Sequence, residues 1–464
     1  MRLQEITSII REYFFLALIL VIVLGIIFFL GYFIVYRKLL KGKKRLSKKH
    51  LLFRGLFTGY VIMVIGVTFL NRDSYYPGGI NLSFLSSYKE AWYSFSARNW
   101  QFVYLNIIMF VPFGILFPLL HSRFQKAVWT IGVAALFTLF IESIQLITGY
   151  GVFEVDDLFN NLLGAIIGYE IIMGFITIRK NRIKRSLVYF SPLMLVVILF
   201  GSMFTYYYLK EFGNLSITPN HRINMVNTTI TIDDTQLDEN KRTVPIYKAP
   251  SYTKASANEF VTDFFKRMNI DATDMEVISY PDEGVYWIRD EISYNIWFQF
   301  LDGSYSYSDF SSFDEDKEPK DGDEATLEES LTNFGIQIPQ DAVFQKVDTG
   351  AYEWKVDKKV IGNQLIDGSL TVDYFNDDTV KRINNQLITY DKVKDVQIKS
   401  EQEAYKEMLE GKFKYNAENN KIETLHIDKV EISYYLDSKG YYQPVYAFYS
   451  MVDGREFTIF IPGI

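Results

Sequence analysis

The sequence predicts an α-helical polytopic membrane domain of six transmembrane helices, followed by an α+β domain built on antiparallel sheets. Three observations carry this. Six apolar runs in the first 208 residues are each close to the ~20 residues that cross a hydrocarbon core. A short amphipathic helix followed by alternating strands then recurs along the rest of the chain. Charge also changes sign: residues 1–208 carry 21 Lys and Arg against 9 Asp and Glu, and the remainder 27 against 46, within a net charge of −7.

The runs lie at about residues 14–35, 51–70, 102–120, 126–148, 158–178 and 187–208. The first is too long for a signal peptide, and its basic residues follow rather than precede it, so it reads as a retained helix. Lys and Arg near span ends resist translocation. Loop 36–50 carries eight of them, 121–126 two and 179–186 five, with no acid in any of the three. These loops are expected in the cytoplasm. Six spans then place both termini, and residues 209–464, outside a plasma membrane.

Composition narrows the chemistry. With zero cysteines there are no disulfides, thiol catalysis or Cys-linked lipid. His50, His121, His221 and His426 lie far apart and show no HExxH spacing, so no metal and no cofactor are expected. No feature points to nucleic acid.

The spans hold polar residues that lipid penalises. Asn106 on span three, Glu142 and Gln145 on span four, and Asp156, Asp157 and Asn161 at the start of span five fall at one depth, near the outer surface. Glu142 and Gln145 are i, i+3 neighbours; Asp157, Asn161, Gly164 and Gly168 follow one helical stripe. Gly164 and Gly168 form a GxxxG pair that lets a neighbouring helix approach. Pro112 removes a helical hydrogen bond and, with Gly114, predicts a kink in span three. Arg72, Lys89 and Arg98 are the outer-loop cations able to neutralise the acids, and protonation is the alternative. Glu170 lies deeper, within reach of a snorkelling Lys or Arg. The bland reading is that the amides only tie helices together, at ~0.6 kcal/mol per contact.

"NIIMFVPFG" (106–114), "ESIQ" (142–145) and "TGYGVFEVDDLFNNLLGAIIGY" (148–169) together resemble the VanZ-like membrane domain, over about residues 52–178. By that resemblance Asn106, Pro112, Gly114, Glu142, Gln145, Asp157, Asn161 and Gly164 are the family positions. This chain has Tyr150 where the family often has Arg, and Glu154 where Asp is common. The resemblance implies a place in the cell envelope and an association with resistance to teicoplanin, a lipid-bearing glycopeptide. It implies no reaction.

Residues 209–250 read as a linker and first strand. Beyond them, S/T-x-x-E capping boxes at Ser256/Glu259, Thr326/Glu329 and Ser400/Glu403 open three helices. Strand patterns and turns at Asp302-Gly303, Asn376-Asp377-Asp378 and Asp453-Gly454 follow them. Residues 251–464 are therefore expected to form three degenerate helix-plus-meander units, 251–315, 326–395 and 396–464. The acidic stretch 312–324 between the first two is expected to be a mobile surface loop rather than a metal site. The final unit resembles the extracytoplasmic domains of YycH and YycI type regulators and PepSY repeats, in element order and in its ending "YYQPVYAFYS…REFTIFIP". Its many Tyr and Trp suit sheet packing first, and a glycan or peptide surface second.

The expected function is a non-enzymatic envelope protein. Its polar pocket would engage an amphiphile, either a lipoglycopeptide or a lipid-linked wall precursor, amid membrane lipids and with room for a membrane-protein partner. The alternatives are an intramembrane enzyme with Glu142 or Asp157 as general base, and a sensor that modulates a signalling kinase.

Overall fold

The computed structural model describes all residues except 1–2, 43–46, 71–78, 234–236 and 416–420. The chain divides into two compact units, Met1–Ala91 with Arg98–Glu211, and Trp92–Ala97 with Phe212–Ile464.

Among the described residues, the first unit holds six helices long and apolar enough to span a membrane. They are α1 (Leu3–Leu30), continued by a π-helical stretch Gly31–Leu39, α2 (Lys48–Ile65), continued by Gly66–Leu70, α4 (Ala97–Leu120), α5 (Ala127–Thr148), α6 (Val155–Arg179) and α7 (Ile183–Leu209). They occupy the predicted runs, and all but α5 extend past them, at ends that hydropathy discounts. Apolar side chains of α1 and α7, such as Phe14, Ile19, Leu195 and Leu199, point outward, as a lipid solvent permits. The interior is aromatic: Tyr60, Phe110, Phe113 and Phe117 pack with Ile141 and Ala165.

Two small elements escaped the sequence pattern. One strand pair, β1 (Ile80–Asn81) parallel to β2 (Phe153–Glu154), clips the loop after span two to the loop before α6. Next to it lies a short helix, α3 (Ser86–Ser94).

In the second unit β3 (Thr229–Ile232) and β4 (Thr243–Lys248) are both integral to the sheet: β3 pairs with β14 (Thr424–Leu436), and β4 with β13 (Ile388–Gln397) and β15 (Tyr441–Val452). Residues 209–250, expected as a linker and first strand, thus supply two strands of the sheet. Helix α8 (Lys254–Arg267) precedes the meander β5 (Glu276–Ser279), β6 (Glu283–Arg289), β7 (Ser293–Gln299) and β8 (Tyr305–Asp309). Then α9 (Glu324–Asn333) precedes β9 (Val343–Asp348), β10 (Ala351–Ile361), β11 (Gln364–Tyr374), β12 (Val380–Asn385) and β13. Last, α10 (Glu401–Leu409) precedes β14, β15 and β16 (Arg455–Pro462).

Three expectations need correction here. Helix plus meander recurs three times, but the strands join one mixed, mostly antiparallel sheet of 14. The first two segments share a core in which Phe264 and Phe265 of α8 and Leu327 and Leu331 of α9 meet Trp354 and Leu370, whereas α10 packs a separate core with Phe448 and Ile459. The helices thus serve two cores, one shared by α8 and α9 and one under α10, while smaller clusters such as Tyr247, Leu365, Tyr390 and Tyr442 lie elsewhere on the sheet. Capping boxes also shift: α8 starts from Thr253 with Ser256, and α9 from the Asp323 carboxylate, three residues earlier than expected, while Ser400 with Glu403 caps α10. Finally, stretch 312–324 is pinned rather than loose. Lys317 lies 3.3 Å from Asp377, Lys320 2.6 Å from Asp378, Asp321 2.6 Å from Lys346, and Pro319 bridges to Phe375.

Candidate functional site

The polar residues of the first unit collect at the end of the bundle that β1 and β2 cover. Helix α6 supplies adjacent acids that its 100° turn per residue sends in different directions. Asp157 accepts a hydrogen bond from the side-chain amide of Asn106 on α4. One turn on, the Asn161 amide donates to Thr138 Oγ1 on α5 at 2.8 Å. Thr138, Glu142 and Gln145 form a single buried stripe on α5. Gln145 donates weakly, at 3.4 Å, to the Thr68 carbonyl at the end of span two. Four spans therefore converge through Thr68, Asn106, the Thr138–Glu142–Gln145 stripe and Asp157 with Asn161.

Asp156 does not belong to this cluster, contrary to the sequence expectation. It is buried, and it accepts the backbone N–H of Leu85 at 2.6 Å and of Ser87 at 2.8 Å, together with the hydroxyls of Ser87 at 2.8 Å and Ser86 at 3.3 Å. An acid so placed caps the N-terminus of α3 from another part of the chain and meets its dipole favourably. Beside it the half-buried Glu154 has its carboxyl pushed up by burial and by the nearby Asp156, with a bond to Asn81 acting against the shift.

Asn160 and Tyr88 were missed as site residues. The Tyr88 hydroxyl donates to Asn160 Oδ1 at 2.5 Å, fastening α3 onto α6. The repeated Asn at 160–161 was a visible signal, and Thr138 stands one turn before Glu142 on the same stripe. Tyr88 gave none, because its partner lies 72 residues away.

Glycines bring the backbones of α4 and α6 into direct contact. A Cβ on Gly164 would lie 1.9 Å from the Ile107 carbonyl oxygen, on Gly168 2.0 Å from that of Val111, and on Gly114 2.1 Å from that of Ala165. Gly114 is thus a packing residue as well as a neighbour of Pro112. Helix α4 runs unbroken through Pro112 and Pro118, and the Tyr60 hydroxyl donates at 2.9 Å to the Met109 carbonyl, in the turn that Pro112 disturbs.

The site is rich in acceptors. Asn161 is 2% exposed, and its Oδ1 accepts no hydrogen bond among the described residues. Lys89 and Arg98 are exposed, and Arg72 lies outside the described residues. Glu170, deeper on α6, pairs with no cation among the described residues. Tyr150 is exposed on the turn after α5.

No curated protein matches the sequence. Among solved structures, an uncharacterized protein from Eubacterium rectale is similar at 13% identity and a TM-score of 0.26, covering 51% of this chain and 88% of that one. The YpeB C-terminal domain of Bacillus megaterium is similar at 9% identity and a TM-score of 0.21, covering 46% and 94%. Residues 57–179, the stretch that contains every residue of the polar cluster, match the family model described as VanZ/LLP1, so the chain carries a VanZ-like membrane domain.

Proposed function

We propose that this domain binds the head group of an amphiphile in the polar cluster, at the outer leaflet of a cell envelope membrane. The observation that carries the reading is Asn161: a buried amide whose N–H is used by Thr138 and whose oxygen accepts nothing among the described residues. A buried acceptor left without a donor costs about 1–3 kcal/mol, which a ligand N–H or O–H would recover. Beside it stand Asp157 and the Glu142 stripe, so the lining favours a donor-rich head, an ammonium or a set of hydroxyls and amides, over a phosphate. Glu142 and Asp157 would supply charge or hold a proton, Asn106, Gln145 and Asn161 would orient the head, and the acyl chain would remain in lipid. A lipoglycopeptide of the teicoplanin type has this chemistry.

The test uses cells that lack the native gene and express wild type, Glu142→Gln, Asp157→Asn or Asn161→Leu. Susceptibility is measured to a lipid-bearing glycopeptide and to one without the acyl chain. The expected result is that wild type raises tolerance of the acylated compound alone, and that each variant loses it while remaining in the membrane. Wild-type tolerance in all three variants would overturn the proposal, as would turnover of a lipid-linked wall precursor by purified protein dependent on Glu142.

A further inference from the structure

In the second unit, far in sequence from the polar cluster, the fold brings Asp233 to a pair that lies close in sequence, His426 and Asp428. Strand β3 runs parallel to the start of β14, with Thr231 beside His426 and Ile232 beside Ile427. Asp233 follows β3 and donates its N–H to the Ile427 carbonyl at 3.0 Å. The pairing of β14 with β15 shifts between Ile427 and Lys429, so Asp428 is the extra residue of a bulge. Bulges at sheet margins re-aim side chains.

As a result both carboxylates face one ring nitrogen. His426 Nε2 lies 3.3 Å from Asp233 Oδ1 and 3.2 Å from Asp428 Oδ1. On the other side of the ring, Nδ1 lies 2.8 Å from the Thr231 hydroxyl.

We infer that Asp233, His426 and Asp428 form a site for a divalent cation, with zinc the best fit. Three features support it. First, metal–ligand bonds of ~2.0 Å in a tetrahedron require ligand-to-ligand edges of ~3.3 Å, which is the spacing of Nε2 from both oxygens. Second, a single proton on Nε2 can satisfy only one of the two carboxylates, and a protonated imidazole leaves the trio with one net negative charge. A divalent ion engages both oxygens and balances both charges. Third, the Thr231 hydroxyl stands where it can accept an Nδ1–H, and that tautomer would turn the Nε2 lone pair toward the ion, as in metal sites whose histidine is held from behind. The side chains of His426, Asp428 and Asp233 are 40%, 48% and 60% exposed, so a fourth position remains open to water or to a ligand from outside. The site draws on none of the residues proposed to bind an amphiphile.

The experiment uses the full chain in detergent. It is stripped of metal, titrated with zinc chloride against a chromophoric chelator, and analysed for bound metal after dialysis. Wild type and the control His50→Ala should each hold one zinc. His426→Ala and Asp428→Asn should bind at least 10-fold more weakly, and Thr231→Val, which removes only the support behind the ring, should also weaken binding. Circular dichroism and the melting temperature of the zinc-free variants confirm that they are folded. The inference is overturned if wild type retains no zinc, or if folded His426→Ala binds as wild type does.

Discussion

The carboxylate of Asp156 accepts the backbone N–H of Ser87 at 2.8 Å, while its chain neighbour Asp157 holds the amide of Asn106. Adjacent acids thus have different tasks, and mutation should separate them. Asp156→Ala removes the cap of α3 and leaves its amides unpaired, at a cost of about 2 kcal/mol or more. It should lower the melting temperature of the protein in detergent. Asp157→Asn keeps a polar partner for Asn106 and should melt close to wild type while losing tolerance of the amphiphile. Equal destabilisation by both substitutions would contradict the division.

The glycine contacts make a second prediction. Gly164→Ala and Gly168→Ala place a methyl about 2 Å from carbonyl oxygens that belong to the α4 backbone and cannot turn aside. Overpacking of this kind typically costs 1–3 kcal/mol. Gly132→Ala, whose added carbon would meet nothing within 4 Å, is the control and should be neutral in the same thermal assay.

In the second unit the Lys381 side chain is 4% exposed and lies 2.9 Å from Asp377 and 3.5 Å from Asp309. Lys381→Ala leaves the buried Asp309 without its cation, while the exposed Asp377 keeps Lys317, and should destabilise by roughly 1–3 kcal/mol in denaturant titration.

Acid should act through the same group. Burial opposes ionisation of Asp377, but bonds from Thr379, Lys381 and Lys317 outweigh it and hold the carboxyl well below the usual range. A carboxyl depressed in the folded state adds stability that is complete above its unfolded pKa of about 4 and is lost as pH falls through the folded value. Asp377→Asn should therefore flatten the fall in the unfolding midpoint below about pH 4 and lower the plateau above it.

Orientation can be measured directly because the chain has no cysteine to remove. Single substitutions Asn181→Cys and Lys254→Cys, both at exposed positions, should react differently with a membrane-impermeant maleimide. Position 254 should label in intact cells, and position 181 only after permeabilisation. The reverse pattern would invert the topology.

Much of the first unit was legible, because an apolar run of membrane length has few alternatives and the polar stripe on α6 follows directly from helical periodicity. What sequence did not show depends on distant partners. Helix α3 is short, and its N-terminal cap is Asp156, some 70 residues away. The place of Asp156 could not be read from its neighbour Asp157, since one residue along a helix means a different face. In the second unit the Asp-Gly turns marked two hairpins, but not the break between β12 and β13 around Gln386, whose carbonyl is pressed against Gly368, nor the joining of all strands in one sheet. Aromatic residues gave direction only in aggregate: Trp354, Tyr286, Tyr307 and Tyr446 fill the cores rather than an outer face. His426 carried little signal beyond Asp428 two residues on, because Thr231 and Asp233 come from a strand that runs parallel to its own.

The seam between α4 and α6 also decides what can move. Where Ile107 and Val111 carbonyls meet glycine, no side chain is interposed, so no rotamers exist there to be re-sorted when a ligand arrives. The pair acts as a keel. If the cluster binds a head group as proposed, adaptation to guests of different size would fall to α5, which is joined to α6 by the Asn161–Thr138 bond. A guest bound as proposed would use the Asn161 oxygen and leave that bond in place, so α5 would adjust without letting go of α6.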